Sequence, residues 1–501
     1  VNEQANETVS NQKVARRTDA MLMVGIFVVA FALRLAAALK LAAEPVWDGQ
    51  YYDFGAKRIA AGLGYSDDRF VDGHAIWHPW CHYPVGYSAY LSVFYNIFGP
   101  TPLAAHVANG IAGALLAVFT FLLAREALSP LRALVAGTLV ALDPGLVLYG
   151  ALVMTEPLSA LLVLAAFWVA LRVKRSRLGD GLETPSRKRW AALLRGPAAG
   201  AFVLGIAALV RPQALLSAPF LALAANVLPS TGSGMRARFA AAIAACAIAV
   251  ATVLPWTLRN CRVMDGCALI STNAGWNLAI GAFPRATGRF ETLRSSDGCR
   301  EVTGQVQQDR CWLHYGLSHI RQAPMRWLGL VPAKLSYTFD HESFAVEYLH
   351  EARPAAWPEP RRTAAREFLT TTHRALVSIA PFAFVGIVRP RRRRQKASGD
   401  EGGSLRGFIV QSTLFVALAA LAYASFTAST PTFSAMVVVG CVLPWLPLPG
   451  RPKPSPALLL PVALLATTVV AHAIFFGEDR YHMVVSPVLC LLAAAALRRG
   501  A

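Results

Sequence analysis

Two carboxylates and three arginines stand at the ends of apolar runs, where charge is costly. Asp48 follows the first run in "EPVWDGQYYDFGAKRIAAGLGY" (44–65), and Glu156 opens another in "MTEPL" (154–158). Arg211 interrupts a third in "ALVRPQALL" (208–216), Arg259 closes a fourth in "PWTLRN" (255–260), and Arg480 begins the last in "DRYHMVVSP" (479–487). A carboxylate can take a proton from a hydroxyl, and guanidinium groups hold phosphate through charge-assisted bonds. Each residue also has a plainer use. Asp48 suits a helix cap, Glu156 a helix start beside Thr155, and a single interfacial arginine commonly anchors a helix by snorkelling. Three arginines and two carboxylates on one face favour a site, because ionisable groups at membrane depth are functional candidates by default. The stretch "STNAGWNLAIGAFPRATG" (271–288) adds Asn273, Trp276 and Asn277, suited to hydrogen-bonding a sugar or phosphate while the indole stacks. Tyr51, His78, Tyr481 and His482 complete the candidate substrate-binding set.

The elements that position these groups follow from hydropathy. Of 501 residues, 55% are hydrophobic and 15% charged, against roughly a quarter charged in an ordinary soluble protein. Apolar runs near ~20 residues predict an all-α polytopic membrane protein. About twelve spans are expected, at 20–42, 101–124, 132–150, 154–172, 196–211, 213–228, 238–257, 372–389, 407–427, 432–447, 456–475 and 482–498. Alternate connections collect Arg16, Arg17, Arg125, the basic stretch 172–195, Arg236, Arg238, "RPRRRRQK" (389–396), Arg451, Lys453, Arg498 and Arg499. The positive-inside rule makes that side cytoplasmic, with both termini. The net charge of +19 is therefore a topology signal, and no recognition fold accompanies it to suggest nucleic acid.

The expected organisation is a cytoplasmic tail (1–19), a membrane module (20–257) with a first outer loop (43–100), a large outer loop (258–371) and a second membrane module (372–501). Both outer loops are expected to carry short helices. Cys261, Cys267, Cys299 and Cys311 fall on the outer side, where thiols pair. Four cysteines allow three connectivities. Cys261–Cys267 and Cys299–Cys311 are the expected pairs, while Cys81 leaves the set open. His74, His78 and His82 recur every four residues, but Pro79 and Pro84 break any helix there, so neither metal nor cofactor is assigned. A secondary transporter is the alternative from another class. Intramembrane charges suit it, but no two-half repeat is visible.

Taken in order, Asp48, "HYPVGYSAYLSVFYNIFG" (82–99), "MTEPL", "LVRPQ" (209–213), "PWTLRN", "STNAGWNLAIG" (271–281) and "DRYHMVVSP" resemble the GT-C membrane glycosyltransferases. The resemblance is to the bacterial family-39 group, related to protein O-mannosyltransferases and the lipid A aminoarabinose transferase. It covers nearly the whole chain, with two departures. Gly49 stands where many relatives carry the second acid of an Asp-Glu pair, and the 285–370 loop matches no subfamily. The resemblance implies a GT-C-like fold in the bacterial cytoplasmic membrane with an extracytoplasmic active site. It further implies an inverting transfer from a polyprenyl-phosphate-linked sugar to a hydroxyl of a protein, lipid or glycan. Asp48 would be the base and Glu156 its partner or the acceptor's guide, with Arg211, Arg259 and Arg480 on the donor phosphate. Glu478 and Asp479 are expected to keep the last outer turn hydrated.

Overall fold

The computed structural model describes residues 2–41, 43–173, 186–225, 234–385, 401–428, 432–451 and 453–497. The basic run at 389–396, Lys174, Arg175 and Arg177, and the terminal Arg498 and Arg499 lie outside them. Helix α1 (Asn2–Leu41) leads to α2 (Asp48–Ala60), a hairpin of β1 (Ser66–Val71) and β2 (His74–Pro79), and α3 (Val85–Phe98). Then come α4 (Pro102–Arg125), α5 (Pro130–Leu142), α6 (Pro144–Leu148), α7 (Glu156–Arg172), α8 (Ser186–Val210), a 3-10 helix at Pro212–Ala224 and α9 (Gly234–Val263). A stretch of short helices follows: α10 (Ala274–Ile280), α11 (Gln305–Gln322), α12 (Pro324–Gly329), α13 (Val331–Phe339) and α14 (Phe344–Ala352). The chain ends with α15 (Glu359–Ile379), α16 (Glu401–Thr427), α17 (Phe433–Val442), α18 (Pro456–Ile474), a 3-10 helix at Asp479–Val484 and α19 (Ser486–Ala496).

Five described helices are long and apolar enough to cross a membrane, in α1, α4, α9, α16 and α18; the bent pair α5–α6 makes a sixth if counted as one span. The chain is a multi-pass membrane protein. In the best apolar windows of α1, α9 and α16 only 22%, 22% and 17% of residues are buried by protein, which leaves their outer faces to lipid. Of the other expected spans, those at 196–211, 213–228, 432–447 and 482–498 fall on apolar helices of 10–17 residues.

The span expected at 132–150 is broken, with a bend of 49° at Asp143. The cause is local. Pro144 has no N–H to give Val140 O, so the last carbonyls of α5 lose helical partners. Arg34 of α1, buried to 1% exposure, donates to Val140 O at 3.0 Å and Ala141 O at 3.2 Å. Asp143 Oδ1 accepts from Leu146 N at 2.8 Å and caps α6. The freed backbone groups are met inside the bundle, as lipid requires.

The first outer loop carries the short helices α2 and α3 and adds a hairpin to the expected all-α fold, because β1 and β2 pair antiparallel with Asp67 opposite His78. Asp72 and Gly73 turn the hairpin with positive φ, 51° and 81°. Cys261 is bonded to Cys267 and Cys299 to Cys311, while Cys81 is buried and free.

Candidate active site

Three chain breaks deliver the charged groups to one place. The turn after α1 presents Asp48 at the start of α2; α7 begins on Glu156; and Pro212 ends α8 so that Arg211 falls in the break before the next 3-10 helix. Arg480 lies in the second 3-10 helix, between α18 and α19. Asp48, Glu156, Arg211, Asn273, Trp276, Asn277, Arg480 and Tyr481 line one cavity of about 390 Å3.

The charges form two pairs. Arg480 Nη1 lies 2.5 Å from Asp48 Oδ2, and Tyr83 OH donates to Asp48 Oδ1 at 2.8 Å. Arg480 Nε pairs with Glu478, and its guanidinium sits 5.0 Å over the Phe344 ring. Arg211 Nη1 lies 2.6 Å from Glu156 Oε1 and donates to Thr155 Oγ1 at 3.2 Å. Tyr481 stands between the pairs. Its ring has the Arg211 guanidinium 5.3 Å away, stacks on His472 at 4.2 Å, and its hydroxyl accepts from Arg480 at 3.2 Å.

Burial pushes the Asp48 carboxyl up, but Arg480, by charge and hydrogen bond, and the Tyr83 hydroxyl together hold it below the usual carboxylate range. Burial likewise holds the His82 imidazole below the usual histidine range, against the pull of Asp48. Glu478 behaves oppositely. Burial raises it to about 7, with Asp479 and Asp48 adding to the rise and Arg480 opposing it.

Two further spaces adjoin. A cavity of about 550 Å3, lined by Trp47, Tyr337, His341 and Glu347 among others, shares Asp48, Phe290 and Arg480 with the first. A narrow cleft of about 30 Å3, lined by Val163, Leu464 and Val484 together with Ser159, Thr468 and His472 among others, shares Arg211, Gln213 and Tyr481. It runs between α7 and α18.

Four expected site residues point elsewhere. Arg259 donates to Tyr65 O at 2.7 Å and Trp80 O at 3.0 Å, and stacks over Trp256 at 4.7 Å, so its guanidinium holds the base of the hairpin. Tyr51 packs on Trp80 and Tyr83 with its ring half exposed. His78 sits on β2 with Nδ1 2.6 Å from Asp67 Oδ1. His482 is fully buried against Thr338 O and Glu342. The expected hydration of Glu478 and Asp479 is also corrected. Glu478 pairs with Arg480, and Asp479, 5% exposed, accepts the backbone N–H groups of Ser343 and Phe344.

Tyr52, His82, Tyr83 and Gln213 line the first cavity without having been singled out for it. Tyr83 belongs to the stretch "HYPVGY", but nothing in its spacing marks a hydroxyl aimed at Asp48.

No family model and no curated protein matches the chain. Among solved structures it is similar to the archaeal oligosaccharyltransferase AglB from Archaeoglobus fulgidus in complex with an inhibitory peptide and a dolichol-phosphate. The two are 14% identical, with a TM-score of 0.42, over 95% of this chain and 50% of that one. The apo form of the Archaeoglobus fulgidus oligosaccharyltransferase gives 13%, 0.38, 95% and 56%. The chain thus spans about half the length of these oligosaccharyltransferases. ArnT from Cupriavidus metallidurans bound to undecaprenyl phosphate is 13% identical, with a TM-score of 0.36 over 94% of this chain and 77% of that one.

Proposed function

We propose that this chain is a GT-C-type membrane glycosyltransferase that moves a sugar from a polyprenyl-phosphate donor to an acceptor hydroxyl with inversion. The observation that carries the reading is the pairing of Arg480 with Asp48 and of Arg211 with Glu156 around one cavity. A lipid phosphate needs cations at headgroup level and a greasy groove for its chain. Arg211 and Arg480 supply the cations from the cavity wall, and the uncovered sides of the long apolar helices leave the lipid chain to the bilayer. The acceptor then enters through the cavity lined by Trp47, His341 and Glu347 and meets Asp48 at the shared wall.

In the reaction Asp48 takes the proton of the acceptor hydroxyl as that oxygen attacks the anomeric carbon. The bond from this carbon to the phosphate oxygen breaks, and its electron pair leaves as lipid phosphate. The leaving phosphate is a weak base and needs countercharge more than a proton, which Arg480 and Arg211 supply. Glu156 fixes Arg211. An arriving phosphate also competes with Asp48 for Arg480, which frees the carboxylate and raises its basicity as the donor seats.

Titration of purified protein with a polyprenyl-phosphate sugar tests the donor class. Wild type should bind it and ignore soluble nucleotide sugars. Arg480→Ala should weaken binding roughly 10–100-fold, as expected for one to two charge-assisted bonds lost, and Arg480→Lys should recover only part, since bidentate pairing is lost. Equal affinities in all three proteins would return Arg480 to a membrane anchor.

A further inference from the structure

Glu342, His373 and His482 come from three separate elements and meet in the interior, outside both cavities. Glu342 lies in the turn after α13, His373 in α15, and His482 in the 3-10 helix that carries Arg480. Their exposures are 8%, 2% and 0%. His482 Nδ1 is 2.7 Å from Thr338 O, and His373 Nε2 is 2.9 Å from Phe339 O. A carbonyl can only accept, so each of these nitrogens carries its proton. The other two ring nitrogens therefore turn toward Glu342 Oε1, His482 Nε2 at 3.1 Å and His373 Nδ1 at 3.7 Å. All three ligand atoms lie within 4.8 Å of one another.

That arrangement brings two imidazole nitrogens and a carboxylate together in a dry interior. A methyl in place of the Gly145 hydrogen would lie 2.7 Å from Glu342 Oε2 and 3.3 Å from Asp143 Oδ1, so a second buried carboxylate crowds the same spot. The arginines next in sequence are engaged elsewhere. Arg374 donates to Asp340 O at 2.8 Å, and Arg480 is held by Asp48 and Glu478. Each histidine has its second nitrogen fixed by a backbone carbonyl, which is how metal-ligating imidazoles are oriented.

We propose that Glu342, His373 and His482 bind a divalent transition-metal ion of the zinc class, with a fourth position left to another ligand. Two imidazoles and a carboxylate are a ligand set that zinc accepts. The rings are stacked with centroids 3.9 Å apart and planes 28° from parallel, so capture of an ion opens the stack as both nitrogens converge on it. The ion's role is positioning. It ties the Arg480-bearing turn to α15 and to the segment whose Phe344 ring lies beneath the Arg480 guanidinium. The alternative for the same atoms is a metal-free cluster in which a proton bridges His482 and Glu342.

The test uses the full chain, purified in detergent with a tag free of histidine and without chelator. Elemental analysis should find about one zinc per chain, reduced more than tenfold in Glu342→Gln and in His373→Gln. Cobalt loaded after chelation should give visible d–d absorption that these variants lose. Should the variants fail to fold, wild type alone suffices. Chelation should lower its melting temperature, and zinc should restore it while magnesium does not. A wild type without stoichiometric metal, whose melting ignores both chelator and zinc, overturns the proposal. So does a folded Glu342→Gln, His373→Gln double variant that keeps its metal.

Discussion

Asp48 has both oxygens occupied, one by Arg480 and one by Tyr83, and this sets its expected pH behaviour. Its carboxyl is held down in the free protein, so it stays ionised as pH falls past the ordinary aspartate value of ~3.9. The acid limb of kcat/KM should then lie below that value. Donor phosphate neutralises Arg480, so the acid limb of kcat should lie higher. Both limbs are best read in Glu478→Gln, where the second titrating group is silent; limbs in the reverse order would contradict donor-linked release of the base. Glu478 itself, raised to about 7 by burial, loses its negative charge as pH falls through that value. Arg480 is then opposed by one carboxylate fewer. Affinity for a sugar phosphodiester, whose own charge is constant in this range, should therefore rise from pH 8 to pH 6, and Glu478→Gln should flatten the slope. An unchanged slope in that variant would remove Glu478 from the phosphate site. The charged members of the site were legible because charge beside an apolar run is rare and costly. Where a guanidinium points was not legible, and Arg259, turned to the carbonyls of Tyr65 and Trp80, is the residue that shows it. Gly49 is explained by packing: a Cβ there would meet the Tyr348 hydroxyl, so no second acid fits beside Asp48.

At the scale of elements, breaks matter as much as helices. The Pro144 and Pro212 interruptions were visible as prolines in apolar runs, but only the second was read as a break. Asp143-Pro144 sits in a run long enough to pass as one span, and its repair by Arg34 depends on a contact with α1 that no local pattern encodes. The β-hairpin carried a usable signal, Asp72-Gly73 between two short runs, of the kind that favours a two-residue turn. Its charged strands "SDDRFV" and "HAIWHP" lacked clean alternation. The site also depends on close approach of the loop bearing Trp276 to the end of α18. Gly281 makes it possible, since a Cβ there would run into the Phe475 carbonyl. Backbone cannot swing aside as a side chain can, so Gly281→Ala should destabilise the protein by ~1–3 kcal/mol. It should also weaken donor binding as Trp276 and Asn277 move from Arg480. A melting temperature and donor affinity equal to wild type would show that the loop and α18 are not tightly coupled.

For the whole molecule, hydropathy and the distribution of basic residues pointed to a multi-pass membrane protein, and the long apolar helices with uncovered outer faces agree. The number of crossings was harder to read, because apolar composition does not separate a full span from the shorter helices at Leu194–Val210, Phe433–Trp445 and Ser486–Ala496. Long-range assembly of the site was least legible. Asp48 and Arg480 are 432 residues apart in sequence and 2.5 Å apart in space. That pair is the centre of the account, and one measurement tests it most directly. Purified protein in lipid is given a panel of polyprenyl-phosphate sugars radiolabelled in the sugar, with wild type and Asp48→Asn side by side, and label is followed into acceptor or water. Wild type should release or transfer sugar from at least one donor, and Asp48→Asn should do so at least ~10²-fold more slowly while binding that donor. Intact donor moved across the membrane without cleavage, or full cleavage by Asp48→Asn, would contradict the account.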